Sequence, residues 1–241
     1  MKKTGNLFKY FAWSVLLALS IAFIIKFGSP QLLRFYVRTG IGDCQKIPIF
    51  CMSPLETLEI KNLPSVSDAG LVPYCAYKIS AFVPRGFNVV QELFIKSSYK
   101  KYNRMHKGDV IYMLCQDKDF FARLYPQLKK AGVTDNYEFI RRVMNANEEK
   151  IGNVNDAFFL IMKGIFIPDI GNQANAKMVK ISLSGLKGFM NYNLDASGNY
   201  FDSSLVDEKG NFFKVYIKNK SKNIDLETAL AVISTLRCRQ E

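Results

Sequence analysis

Residues 179–217 read VKISLSGLKGFMNYNLDASGNYFDSSLVDEKGNFFKVYI, and their period decides the fold class. Val179, Ile181 and Leu183 alternate with Lys180 and Ser182, and Met190, Tyr192 and Leu194 alternate with Asn191 and Asn193. A period of two sends successive side chains to opposite faces of a strand. Ser197-Gly198 and Lys209-Gly210 are turn signals that bracket the strand-like run 200–206 and introduce Phe213, Val215 and Ile217. Strands this close in sequence join as antiparallel hairpins, because parallel neighbours need a crossover of a dozen or more residues.

Working outward, residues 157–167 are nearly all apolar and read as a central strand covered on both faces, with Gly164 as a bulge. Two helices precede it. Asp117 is placed to cap a segment carrying Phe120, Phe121, Leu124 and Leu128, which Pro126 kinks or divides and Gly132 stops. Asp135 and Glu138 have capping-box spacing ahead of Phe139, Ile140, Val143 and Met144. Further upstream, runs 77–83, 89–95 and 110–115 read as strands, with Pro84-Arg85-Gly86 as a turn. A helix from Asp225 closes the chain, its stripe formed by Leu226, Ala229, Leu230, Ile233 and Leu236. Strands, two helices, strands and a final helix define an α+β fold. The expectation is an antiparallel sheet of about six to eight strands, partly covered by helices, since parallel crossovers would need a helix after nearly every strand.

The N-terminal part has another character. Tyr10 begins sixteen residues without a charge, ending at Ile25, with Lys9 and Lys26 at the flanks and Tyr10 and Trp13 toward one end. With the lysines snorkelling, about eighteen residues at 1.5 Å each approach the ~30 Å of a bilayer core. This predicts one N-terminal transmembrane helix at residues 10–27, an uncleaved anchor preceded by a short basic segment at 1–9. A cleaved secretory signal, with Ser20-Ile21-Ala22 at cleavage spacing, is the competing reading. The basic residues on the two sides nearly balance, and an apolar segment this early favours the N-terminus inside and the body outside.

Residues 28–73 form a juxtamembrane helix and a connector containing proline and cysteine, and 74–241 a single globular domain. No acidic residue precedes Asp43, while six basic residues do, a bias that suits anionic lipid. Ser29-Pro30 starts a short helix and Gly40 stops it. Leu32, Leu33, Tyr36 and Val37 oppose Gln31, Arg34 and Arg38, as in a helix lying on a membrane or in the first helix of an ordinary domain.

Candidate functional residues fall into few groups. Cys44 and Cys51 are a disulfide candidate in an oxidising compartment, with Cys75 an alternative partner. Cys115 reads as a core thiol, or as a nucleophile with His106 as its base, and Cys238 as a solvated thiol. Lys96, Lys100, Lys101, Arg104 and Lys107, interleaved with Tyr99 and Tyr102, are candidates for binding an anion, with the rings available for stacking. The bland alternative is a solvated loop protecting a sheet edge. Lys214, Lys218, Lys220 and Lys222 include positions on the expected solvent face of the Phe213 strand and admit the same readings.

The single histidine and scattered cysteines supply no zinc cluster, and no Gly-rich phosphate loop, serine elbow or His-Glu-x-x-His is present. No metal and no cofactor are therefore expected. Carboxylates such as Asp117, Asp119, Glu148, Glu149, Asp202 and Asp207 have no assignable acid or base role from sequence. Asn219-Lys220-Ser221 is a glycosylation sequon. The function that follows is non-enzymatic: a single-pass, membrane-anchored protein whose extracytoplasmic domain binds a protein or other envelope partner or assists an assembly. Two alternatives stand beside it. One is a cytoplasm-facing tether that contacts nucleic acid or anionic lipid, since beyond residue 28 there are still 29 basic against 21 acidic residues. The other is an anchored hydrolase using carboxylates or Cys115.

Overall fold

A computed structural model describes residues 28–40, 44, 45, 47–54, 57, 58, 63–76, 78–90, 108–167, 175–195 and 198–238. The expected anchor at 10–27 lies outside them, and among the described residues no helix is long and apolar enough to cross a membrane. Three layers build the domain. The middle one is a six-stranded sheet in the order β3-β4-β8-β7-β6-β5, formed by β3 (Asn88–Val90), β4 (Val110–Gln116), β5 (Lys177–Leu183), β6 (Leu186–Asp195), β7 (Gly198–Asp207) and β8 (Phe212–Asn219). The hairpins read from the period-two region are all present, with Leu183 opposite Leu186 and Val206 opposite Phe212 beside the turns. The sheet is mixed, however: β3 pairs parallel with β4.

On one face lies a small antiparallel sheet, order β1-β2-β9, made of β1 (Leu71–Ala76), β2 (Ile79–Pro84) and β9 (Arg237–Cys238). Pro73 is tolerated in β1 because that strand is an edge, where a missing N–H breaks no ladder. Leu71, Ile79, Ala81 and Val83 pack with Phe201, Leu205, Phe213 and Ile217 of the large sheet. The last helix, α5 (Leu226–Ser234), is capped by Asp225 Oδ1, which accepts from Thr228 N at 2.8 Å, and buries Ala229 to Ile233 in the same core. It stops at Ser234, and although the backbone of Arg237 belongs to β9, its guanidinium donates to Ser234 O at 3.0 Å, at the C-terminal end of the helix.

The other face carries α1 (Ser29–Gly40), α2 (Phe120–Leu124), a 3-10 turn (Pro126–Ala131), α3 (Asn136–Asn145) and α4 (Val154–Phe166). Pro126 divides the first pair as expected, and Gly132, at φ 81°, makes the left-handed stop. The cap of α2 is Asp119 and not Asp117. The apolar run at 157–167 is helix α4, a correction to the expected central strand. A segment apolar on every side carries no period to separate strand from helix. The deciding signal is polar: Asn153 Oδ1 accepts from Asp156 N at 3.1 Å, and Asp156 Oδ2 accepts from Asn153 N at 3.2 Å. Gly164 is no bulge. A Cβ there would lie 2.8 Å from the Phe50 ring, so its hydrogen lets the connector's buried Phe50 press onto α4.

Candidate functional site

The two cystines organise the chemistry. Cys44 and Cys51 are bonded, with Cα atoms 5.6 Å apart, as their spacing predicted. Cys115 and Cys238 are bonded as well, Cα atoms 5.9 Å apart and 123 residues distant in sequence. That overturns the readings of Cys115 as a core thiol or nucleophile and of Cys238 as a solvated one. The bond ties β4 of the large sheet to β9 of the small one, so it closes the interface between two layers. Cys75 is the free, exposed cysteine of the chain.

Around Cys44 the connector is knotted to the helical layer. Glu148, 1% exposed, pairs with Arg38 and accepts from Cys44 N at 3.1 Å. Glu148 and the two sulfurs bring ligand-type atoms within 4.8 Å of one another. The donor set does not fit a metal, because bonded sulfurs offer no thiolate and the carboxylate is already neutralised by a guanidinium. Its effect is mechanical: Glu148 fastens α1 and the first cystine to the body.

Lys214 and Lys218, expected on the solvent face of β8, are instead buried, each 2% exposed. Both point to the face that the helices cover, and Lys214 Nζ lies 5.9 Å from the centre of the Phe166 ring of α4. Lys214 Nζ is 2.6 Å from Asp202 Oδ1 and donates to Ser204 Oγ at 3.1 Å. Asn191 faces Asp202 across the ladder, and its Oδ1 finds no donor among the described residues. Burial pushes the Asp202 carboxyl up and the Lys214 ammonium down, while their mutual attraction opposes both shifts. Lys218 is lowered to about 8 by burial and by Lys220, with Asp109 acting the other way. A lysine on a serine hydroxyl resembles a nucleophile and its base, yet these side chains are almost fully enclosed. The array fixes strand register from within.

Lys163 of α4 is a further buried cation. Its Nζ donates to Ala146 O at 2.8 Å and to Met52 O, and burial with help from Lys150 lowers it to about 7.

An accessible candidate is a cleft of about 500 Å³ where the β5–β6 and β7–β8 turns meet the starts of α2 and α3. Its lining includes Lys118, Asp119, Tyr137, Lys187, Glu208 and Lys209. Lys187 Nζ stands 4.5 Å from the Tyr137 ring centre, a cation–π contact that holds the mouth. A second cleft, about 300 Å³, adjoins it around Ser184 and Arg237. Asp119 and Ser184 have φ of 64° and 48°, left-handed values that a side chain adopts at some strain. Asp207 is committed to the turn, accepting from Asn211 N and Nδ2 at 2.8 and 2.9 Å. Nothing in the sequence singled out this cleft, whose parts come from four separate segments.

The basic and aromatic set Lys96, Tyr99, Lys100, Lys101, Tyr102, Arg104 and Lys107, with His106, lies outside the described residues. Asn219 of the sequon is buried, with its amide donating to Ser221 Oγ and Asn223 Oδ1, so it is closed to a glycosyl carrier. No family model, curated protein or solved structure matches the chain.

Proposed function

We propose that this chain is a non-catalytic, membrane-tethered domain held outside the cytoplasm, where it binds another envelope component through the cleft at the hairpin ends. The Cys115–Cys238 bond carries the reading. Cystines persist in oxidising compartments and are reduced in most cytoplasms, and two of the three layers here are joined by one. The uncharged run at 10–25 supplies the tether. In the cleft, Lys118, Lys187 and Lys209 share the lining with Asp119, Asp135, Asp207 and Glu208, a mixture of signs that suits a polar protein segment better than a phosphate-rich polymer.

The burial of Lys163, Lys214 and Lys218 removes three cations from any basic surface and weighs against nucleic acid. The bonded sulfur of Cys115 weighs against a thiol hydrolase. A photo-crosslinking residue in place of Lys187 tests the reading in intact cells, with the same residue in place of Leu194 as comparison. A discrete protein adduct from 187 that is absent from 194 is expected. Identical patterns from both positions, or an adduct with nucleic acid, would count against it.

A further inference from the structure

Helix α1 is assembled inside out. Its arginines serve the protein: Arg34 Nε donates to Ile151 O at 3.2 Å and Arg38 pairs with Glu148. Val37 is buried and Leu33 packs beside it against the helical core. The face turned outward carries an apolar stripe beside Gln31, Arg38 and Thr39. Leu32, Phe35 and Tyr36 are 55%, 61% and 70% exposed, at the i, i+3, i+4 spacing that lines one side of a helix. Phe35 and Tyr36 meet edge to face, ring centres 6.3 Å apart, which widens the stripe. A surface helix in water presents charge outward and hides its apolar face, so a stripe like this requires an apolar partner.

Chain order says which partner. The uncharged run ends at Ile25, and three residues separate it from Ser29. Three extended residues reach about 10 Å at most. Where the run enters a bilayer, α1 therefore begins within reach of the headgroups. Its twelve residues, about 18 Å long, cannot leave the surface except by turning away from it. Lys26 at the exit and the absence of any acid before Asp43 add attraction to anionic lipid.

We infer that α1 is an interfacial helix whose Leu32, Phe35 and Tyr36 sink into the acyl edge of the membrane, clamping the domain against the bilayer; the inference rests on the anchor reading above. Arg38, Glu148 and the Cys44–Cys51 cystine then transmit the membrane's orientation to the domain, because they fix the inner side of the same helix.

The test uses the full chain reconstituted in phosphatidylcholine vesicles containing phosphatidylglycerol. Trp13 is the sole tryptophan, so Trp13→Phe combined with Phe35→Trp gives a reporter on the stripe, and Trp13→Phe with Leu194→Trp a reporter across the sheet from α1. Lipids brominated near the headgroup end of the acyl chain should quench position 35 strongly. Lipids brominated near the midplane should quench it less, and position 194 should respond to neither. Absence of bromine quenching at 35 overturns the inference, whether iodide reaches the indole from water or a protein surface shields it. Native Trp13 separates the two readings: if it is quenched by midplane bromines while position 35 is not, only the interfacial helix falls, and if neither is quenched the anchor falls with it.

Discussion

Removing one partner of the Lys214–Asp202 pair tests how the large sheet is held. The two charged atoms are 2.6 Å apart at sites 2% and 0% exposed, so neither side chain regains water when its partner is lost. Breaking such a pair destabilises by about 3–5 kcal/mol, because an uncompensated charge or an unsatisfied polar group stays buried. Asp202→Asn and Lys214→Met keep the shapes nearly constant. Each should lower stability at neutral pH by that amount, and the double variant should lie no lower than either single one, a coupling of about 3 kcal/mol.

The pH dependence distinguishes this from simple packing damage. In Lys214→Met the Asp202 carboxyl is held above its ordinary value without its partner's opposing pull. The native state then binds more protons than the unfolded one above the ordinary carboxylate pKa, so stability falls as pH rises and the loss shrinks on acidification. In Asp202→Asn the Lys214 ammonium is lowered. Here the unfolded state binds more protons below the ordinary lysine pKa, so stability rises with pH and the loss shrinks toward alkaline pH. Urea unfolding of the full chain in detergent, followed by near-ultraviolet circular dichroism across this range, reads both slopes. Slopes of the same sign, or either single variant within about 1 kcal/mol of the parent at neutral pH, would refute the reasoning.

Cys115→Ser should lose about 4–5 kcal/mol, as expected for opening a loop of 123 residues, and Cys44→Ser about 2.5 for a separation of seven, both read by denaturant midpoint with and without reductant. Gly164→Ala should cost about 1–3 kcal/mol through its clash with Phe50, and Phe50→Leu in the same chain should recover part of that. Lys163 is lowered in the folded state to about 7 from 10.5, so its contribution to stability grows as pH rises through that window. Lys163→Met should remove up to about 1.4 kcal/mol per pH unit of slope there, measured by urea unfolding at neutral and alkaline pH.

Much of this architecture is legible in local chemistry. The period of two in 179–217, the Gly210 turn and the caps at Asp135 and Asp225 act over a few residues, so their signals sit beside the elements they specify. The misreadings arise where distant segments decide. Whether Lys214 faces water depends on α4 lying over β8, although counting outward from the Lys209-Gly210 turn already pairs Ser204 with Lys214 and Asp202 with Tyr216. The Cys115–Cys238 bond becomes visible only when β9 is known to join β2, at Ile79 opposite Cys238. The split of α1 into a tethered side and a free side likewise depends on Glu148 and Ile151, more than a hundred residues away. The two left-handed residues near the cleft gave no sequence signal, since neither Asp119 nor Ser184 is the glycine that usually marks such a position.

A membrane-impermeant maleimide applied to intact cells shows whether the domain is oxidised and lies outside the cytoplasm. Cys75 should react without reductant, Cys44 and Cys51 only after reduction, and Cys115 and Cys238 only after reduction in denaturant. No labelling until the membrane is broken, followed by reaction of all five cysteines without reductant, would contradict this and place the domain in the cytoplasm.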